Sequence, residues 1–252
     1  MLKTLEYPNT YTYSATFLTT VGVKLINFIF PFRCSACNDL TDTGEGICSS
    51  CWPKFNFINK PYCFICCKKF EVDFSEVNIC AACVIAKPKI DMIRTLLEFS
   101  PETKKLVHNF KYHDKTSLAK LFAKLINNRF SEGLKDIDII APVPMHKLKR
   151  LFRGYNPPQI LAWELSKKLD RPFIPNLLIK KKITKNQVGL TKKERTRNIL
   201  GSFELNKNFN VQDKVILLVD DVITTGATSA ECAKILKKGK AGSVKLVTIA
   251  RV

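Results

Sequence analysis

Val215-Ile-Leu-Leu-Val-Asp-Asp-Val-Ile-Thr-Thr-Gly-Ala-Thr228 is the stretch on which the fold turns. Its apolar start, Val215–Val219, has the continuous hydrophobicity of a strand buried on both faces of a parallel sheet. The strand is expected to end in two adjacent carboxylates, Asp220 and Asp221. A short run of hydroxyl and small residues follows, and then a helix from about Ala227 to Lys238, closed by Gly239. A loop at the carboxyl end of a parallel strand faces the usual ligand crevice of such sheets. Backbone N–H groups over Thr224–Thr228, next to a helix N-terminus, can cradle a phosphate dianion. Gly226 lets the chain approach closely and take an unusual dihedral. The two carboxylates suit the hydroxyls of a vicinal diol. Phosphate and diol on one molecule describe a ribose 5-phosphate. A solvated turn or a Mg²⁺ site of another α/β fold would share the acid pair but not the order of all fourteen positions. A P-loop is excluded, because its Lys-Ser/Thr ending is absent.

Outward from this stretch, strands alternate with helices. Met92–Phe99, Ile137–Ala141 and Val244–Ala250 read as strands. Thr103–Tyr112 and Ser117–Phe130 read as helices, the second with Leu118, Leu121, Phe122, Leu125 and Ile126 on one face. Pro158–Leu169 is a third, with Ile160, Leu161 and Leu165 together. That alternation predicts an α/β domain over residues 89–252, a parallel sheet flanked by helices.

Upstream, the cysteines set a different pattern. Nine of the ten lie between residues 34 and 83, and eight form four C-x-x-C pairs: Cys34/Cys37, Cys48/Cys51, Cys63/Cys66 and Cys80/Cys83. Each pair can offer two thiolates to a tetrahedral ion, and two pairs complete a closed structural zinc site. A disulfide framework belongs to secreted chains, and no secretory signal is evident. Sequential pairing of the knuckles and an interleaved cross-brace both satisfy the spacing. Residues 31–88 therefore form a cysteine-rich (double) zinc-ribbon module, too small to fold on apolar burial alone. Cys67 is spare, and Cys232 reads as a small core residue.

The first thirty residues form an amphipathic segment. Phe17–Phe32 is apolar, but Lys24 and Asn27 interrupt it and it is too short to cross a bilayer. The expectation is a cytoplasmic chain without a transmembrane segment. With 46% hydrophobic residues, wholesale disorder is excluded. The net charge of +19 is uneven: residues 1–90 hold 9 Lys+Arg against 7 Asp+Glu, and residues 91–252 hold 32 against 15. Such an excess suits phosphate-rich ligands or nucleic acid.

Two further stretches narrow the reading. Ala141-Pro-Val-Pro-Met-His-Lys-Leu-Lys-Arg-Leu-Phe-Arg-Gly-Tyr-Asn156 follows a strand, and Thr184-Lys-Asn-Gln-Val-Gly-Leu-Thr-Lys-Lys-Glu-Arg-Thr-Arg-Asn198 is polar and basic. Together with His108-Asn-Phe-Lys-Tyr112, the zinc knuckles and the Asp-Asp loop, they resemble the competence protein F (ComF/GntX-like) family over about Phe30 to Arg251. The loop itself resembles the phosphoribosyl pyrophosphate (PRPP) signature of type I phosphoribosyltransferases. Where that family has Gln after the motif Asn, this chain has Pro157. Lys149 and Lys182 replace the more usual arginine, which keeps the charge without the bidentate fork.

The resemblance implies a type I phosphoribosyltransferase-like domain that binds PRPP with Mg²⁺. Asp220 and Asp221 would hold the ribose hydroxyls, and Thr224, Thr225, Gly226, Ala227 and Thr228 the 5-phosphate. Lys149, Arg150 and Arg153 would flank the pyrophosphate. The basic stretch 180–197, eight Lys+Arg against Glu194 alone, would supply a lid, with Thr184, Gln187, Arg195 and Asn198 at family positions. Three functions fit: phosphoribosyl transfer to an unknown acceptor, a PRPP or nucleotide sensor, and an adaptor handling single-stranded DNA with DNA-processing proteins. The family name implies a part in DNA uptake. The histidines lack a partner carboxylate at a telling spacing. Trp52 and Trp163 read as packing anchors.

Overall fold

The structure, a computed structural model, describes residues 32–41, 46–72, 78–86, 88–112, 117–146, 151, 154–182 and 191–252. Helix α1 (Ala81–Ile85) belongs to the cysteine-rich segment. Strand β1 (Met92–Glu98), helices α2 (Pro101–Tyr112) and α3 (Ser117–Phe130), and strand β2 (Ile139–Pro142) follow. Helix α4 (Pro157–Leu169), strand β3 (Leu178–Lys180), helix α5 (Lys192–Ile199) and strand β4 (Phe203–Leu205) come next. Strand β5 (Val215–Ile223), helix α6 (Ala227–Lys238) and strand β6 (Ser243–Arg251) complete the chain.

Strands β1-β6-β5-β2 form one sheet in that order, and every pairing in it is parallel. Side chains alternate across a strand, so β5 serves two cores. Leu217 and Val219, with Val247 and Ile249 of β6, pack with Leu106 and Phe110 of α2, Phe122 of α3 and Leu161 and Leu165 of α4. Phe110 and Phe122 meet edge to face, 5.5 Å between centroids. Ile216 and Leu218, with Val244 and Leu246, pack instead against Cys232, Ala233 and Leu236 of α6. Burying each of the Val, Leu, Ile and Phe side chains among these contributes about 1.5–3 kcal/mol. Thr95 and Thr248 are register partners on β1 and β6, and their buried hydroxyls hydrogen-bond at 2.8 Å, so neither is left unsatisfied.

Both sheet edges are covered. The segment Asn56–Ile58 runs antiparallel to β1: Ile58 N–H donates to Leu96 O (2.9 Å) and Glu98 N–H to Asn56 O (2.9 Å). On the other edge, Ile140 N–H donates to Pro172 O and Ile174 N–H to Ile140 O, both at 2.9 Å. Unpaired edges invite aggregation, and covering them removes that liability.

The expected strands and helices are present, with several differences. Strand β5 does not stop before the acid pair. It runs on to Ile223, because β6 continues alongside and pairs Val222 with Ala250 and Ile223 with Arg251. Gly239 ends α6 but not in the left-handed region; its φ is −75°, and Lys240 takes the positive φ of 66°. Glycine suits the space there, since a Cβ would lie 2.7 Å from Leu205 Cδ2 and 2.9 Å from Val211 Cγ2 and would force those methyls to shift. An antiparallel ribbon, β3 with β4, brackets the basic stretch, and its Phe203 lies in the α6-side core. The amphipathic stretch up to residue 31 lies outside the described residues.

Candidate functional site

Strand β2 is followed by α4 on one face of the sheet, whereas its neighbour β5 is followed by α6 on the other. Between the carboxyl ends of two such strands the chain diverges and a crevice opens, the usual ligand position in open α/β sheets. Pairing of β2 with β5 ends at Pro142–Val219. The next residues of β5 are Asp220 and Asp221, so the acid pair stands at the mouth of this crevice.

The two carboxylates look to opposite sides. Asp221 reaches the α2 side, where Lys111 Nζ lies 2.9 Å from its Oδ1, with both side chains largely covered at 24% and 13% exposure. Asp220 sits on the α6 side, where its charge is felt by the buried Cys232 thiol. The Asp221 N–H donates to Asp220 Oδ1 (2.9 Å). Burial and the neighbouring Asp221 charge push the Asp220 carboxyl up to about 7. The Asp221 N–H and the Lys111 and Lys180 ammonium groups pull the other way without overcoming them. The pair is thus poised to take donors: one carboxylate already holds an ammonium and the other is short of them.

Past Ile223 the chain turns into α6. Gly226 is the N-cap residue, with φ 73° and ψ 4°, a left-handed conformation that costs any other L-residue about 1–2 kcal/mol. Its missing Cβ would meet only Ile223 Cδ1, at 3.5 Å, so glycine is here for backbone shape. Gly226 has no side chain with which to cap the helix, and the first turn of any helix carries N–H groups without intrahelical acceptors. The Ala227 N–H turns to Thr225 Oγ1 (3.4 Å), and the Ser229 hydroxyl donates to Gly226 O (3.1 Å). All five predicted loop residues, Thr224 to Thr228, lie on this turn. Lys149, Arg150, Arg153, Thr184 and Gln187 lie outside the described residues. Arg195 and Asn198 fall on α5, a helix within the stretch expected to supply a lid.

The cysteines form two compact sets, Cys34/Cys37/Cys48/Cys51 and Cys63/Cys66/Cys80/Cys83, with the four Sγ atoms of each set within 4.8 Å of one another. The pairing is therefore sequential, and no cysteine is in a disulfide. A tetrahedron with bonds of about 2.3 Å has edges of about 3.8 Å. Cys37 and Cys48 Sγ are 3.8 Å apart, and Cys66 and Cys80 Sγ are 3.6 Å apart. N–H groups of Ala36 and Cys48 donate to Cys34 Sγ, and those of Cys66 and Cys80 to Cys63 Sγ.

The thiols of each set do not ionise together. The Ser50 hydroxyl draws Cys48 down to about 6. Burial raises Cys63, but N–H donors outweigh it and bring it to about 7. Cys66, half-buried beside Cys63, is pushed up to about 11, chiefly by desolvation. A divalent ion at the centre would remove that conflict, so both sets fit structural zinc.

Cys67 is in neither set. It repeats the left-handed position of Asn38 in the first knuckle (φ 61° and 71°) and is buried in the α6-side core. The ribbons are not appended to the domain. Cys34, Ile47 and Phe55 share a core with Leu96, Leu106 and Phe110. Arg94 donates to Phe64 O (2.8 Å) and lies over the Tyr62 ring, and Asn109 Nδ2 donates to Ser35 O (2.6 Å). Arg251 also donates to Cys66 O.

Residues 25–84 match the double zinc ribbon domain family, and residues 160–252 the phosphoribosyl transferase domain family. "Competence protein F" of Haemophilus influenzae (strain ATCC 51907 / DSM 11121 / KW20 / Rd) is 30% identical over 234 residues, covering 90% of this chain and all of that protein. The chain belongs to the competence protein F-like family. A second relative, "DNA utilization protein YhgH" of Escherichia coli (strain K12), is 26% identical over 223 residues, 86% of this chain and 89% of that protein. Among solved structures, an adenine phosphoribosyltransferase aligns at 15% identity with a TM-score of 0.39, covering 56% of this chain and 73% of that one. The competence protein F-like layout, double zinc ribbon before an α/β phosphoribosyltransferase-type domain, is the one described above. Among the described residues, no helix is long and apolar enough to cross a membrane.

The sequence marks the family's His108–Tyr112 motif but gives Lys111 no role. The structure brings that lysine onto Asp221. It also joins the motif to the Gly154–Asn156 stretch, since Tyr155 Oη donates to Phe110 O at 2.6 Å. Trp163 is no packing anchor. It is 42% exposed, against Phe173 and beneath Lys167.

Proposed function

We propose that the crevice between β2 and β5 binds PRPP or a related ribose 5-phosphate with Mg²⁺, and that the chain transfers the phosphoribosyl group. The observation that carries this reading is the single run of β5 into α6: an acid pair at a switch-point crevice, then a left-handed glycine at the N-cap of a twelve-residue helix. One face of the ligand meets carboxylates, which accept from the ribose hydroxyls. The other meets N–H groups and the positive end of a helix, which suit the 5-phosphate. With Asp221 already paired to Lys111, the protein offers no closed carboxylate cage, and Mg²⁺ would be held mainly by ligand oxygens and water, as this ion prefers.

In the transfer, the C1–O bond to pyrophosphate breaks, its electron pair leaving with the pyrophosphate, positive charge spreads over C1 and the ring oxygen, and a lone pair of the acceptor nucleophile forms the new bond to C1. The nearby carboxylates stabilise that charge, and the phosphate loop fixes the sugar's position. Lys149, Arg150 and Arg153 would receive the departing anion. Thr184, Gln187, Arg195 and Asn198 would belong to a closing segment that excludes water. The two cysteine sets would hold two structural Zn²⁺ ions. Calorimetric titration of PRPP with Mg²⁺ tests the reading: the wild type binds and Asp220→Asn/Asp221→Asn does not. Equal binding by both, or none by the folded wild type, overturns it.

A second reading has its own support. The net charge of +19 and a relative named for DNA utilization favour contact with single-stranded DNA or DNA-processing proteins, in the cytoplasm, as a part of DNA uptake. Oligonucleotide affinity should then fall steeply with salt. Affinity unchanged between low and moderate salt removes this reading.

A further inference from the structure

The reading above gives Lys111 no ligand of its own, and its setting is unusual. Lysine is rarely covered to this extent without a partner, and here the partner is one of the two carboxylates assigned to the sugar. The lysine comes from the last turn of α2, an element that precedes β2 and is separate from the turn after Pro144. That last turn is pinned from the far side by the Tyr155 hydroxyl on Phe110 O, so the lysine is delivered to the crevice by a fixed backbone. Its ammonium has three N–H donors, of which Asp221 Oδ1 takes one at 2.9 Å.

We propose that Lys111 is a ligand-binding residue that reads the anionic group on C1 of a 5-phosphorylated ribose, so that the crevice prefers PRPP to ribose 5-phosphate. This rests on the ribose-phosphate reading of the site and goes beyond it by naming a discriminating residue. Within the ligand, C1 is bonded to C2, whose hydroxyl would sit on the acid pair. An ammonium already bonded to that pair is therefore beside whatever C1 carries. With ribose 5-phosphate, Lys111 only competes with the diol for Asp221 lone pairs. With PRPP, it keeps Asp221 and gives its other donors to the diphosphate. A charge-assisted contact of this kind is among the stronger hydrogen bonds.

The test is titration of PRPP and of ribose 5-phosphate, each with Mg²⁺, into the wild type, Lys111→Met and Lys111→Arg, with thermal melts to show that each variant is folded. The expected result is a PRPP affinity lowered tenfold or more in Lys111→Met, while ribose 5-phosphate affinity stays level or rises. Lys111→Arg keeps most of the preference. If Lys111→Met weakens both ligands by the same factor, the lysine is a structural counter-charge, and the proposal falls while the ribose-phosphate reading stands. If neither ligand binds the wild type, both fall together.

Discussion

Replacing Asp220 by Asn should stabilise the chain, and the gain should depend on pH in a defined way. The carboxyl is raised from its ordinary 3.8 to about 7 by burial and by the Asp221 charge. A group whose folded value lies above its unfolded one binds an extra proton in the folded state between the two values, so wild-type stability falls as pH rises from about 4 to about 7. The gap between those values corresponds to about 4 kcal/mol. Asp220 is only partly covered, and residual water screens it, so about 2 kcal/mol is the expected loss above pH 7. The carboxamide of the Asp220→Asn variant cannot ionise, and its oxygen can still accept the Asp221 N–H that Asp220 Oδ1 now accepts at 2.9 Å. The difference in unfolding free energy between variant and wild type should be near zero at pH 4 and grow through the interval. It should level off above pH 7 with the variant about 4–8 °C higher in melting temperature. Taking the difference cancels the zinc thiolates, which protonate in both proteins. A pH-independent difference, or a variant less stable at pH 8, would refute the argument that the acid pair stores unfavourable charge.

Three other outcomes follow from the geometry. Metal analysis should give two zinc ions per chain, one for each cysteine set, and Cys34→Ser should lower the unfolding temperature of the whole chain in one transition, because Cys34 shares a core with β1 and α2; a separate low-temperature transition with the main one unmoved would contradict this. Gly226→Ala should lower stability by about 1–2 kcal/mol in urea unfolding, since the turn already holds φ 73° without ligand and that conformation is strained in a residue with a Cβ; an unchanged unfolding midpoint would contradict this. Arg94→Leu should lower stability by about 2 kcal/mol in urea, from the charged bonds to Phe64 O (2.8 Å) and Ile93 O (2.7 Å).

The legible part of the fold is the part that periodicity encodes. Ser117–Phe130 repeats its apolar residues at helical spacing, and Val215–Val219 is a run that only a strand covered on both faces explains, so both are readable. The end of β5 is not, because its continuation past Asp220 depends on a hydrogen-bonding partner 28 residues away. Strands β3 and β4 have three residues each, too few to show a period. Helix α5 presents almost no apolar face, yet it does carry a signal. Thr191 and Glu194 form a reciprocal capping box, with the Thr191 N–H donating to Glu194 Oε2 (2.7 Å) and the Glu194 N–H to Thr191 Oγ1 (3.3 Å).

At the site, the sequence supplies the acid pair and the loop as one contiguous motif. It does not show that adjacent carboxylates face opposite sides of the sheet. Lys111 is 110 residues from Asp221 in the chain, and only the packing of α2 on the sheet brings them together.

The most direct test of the ribose-phosphate site is a crystal structure of the chain with ribose 5-phosphate. The account predicts the phosphate on backbone N–H groups between Thr224 and Thr228 and the ribose hydroxyls on Asp220 and Asp221. A ligand seated elsewhere, or bound through the loop with its diol turned away from both carboxylates, would contradict it.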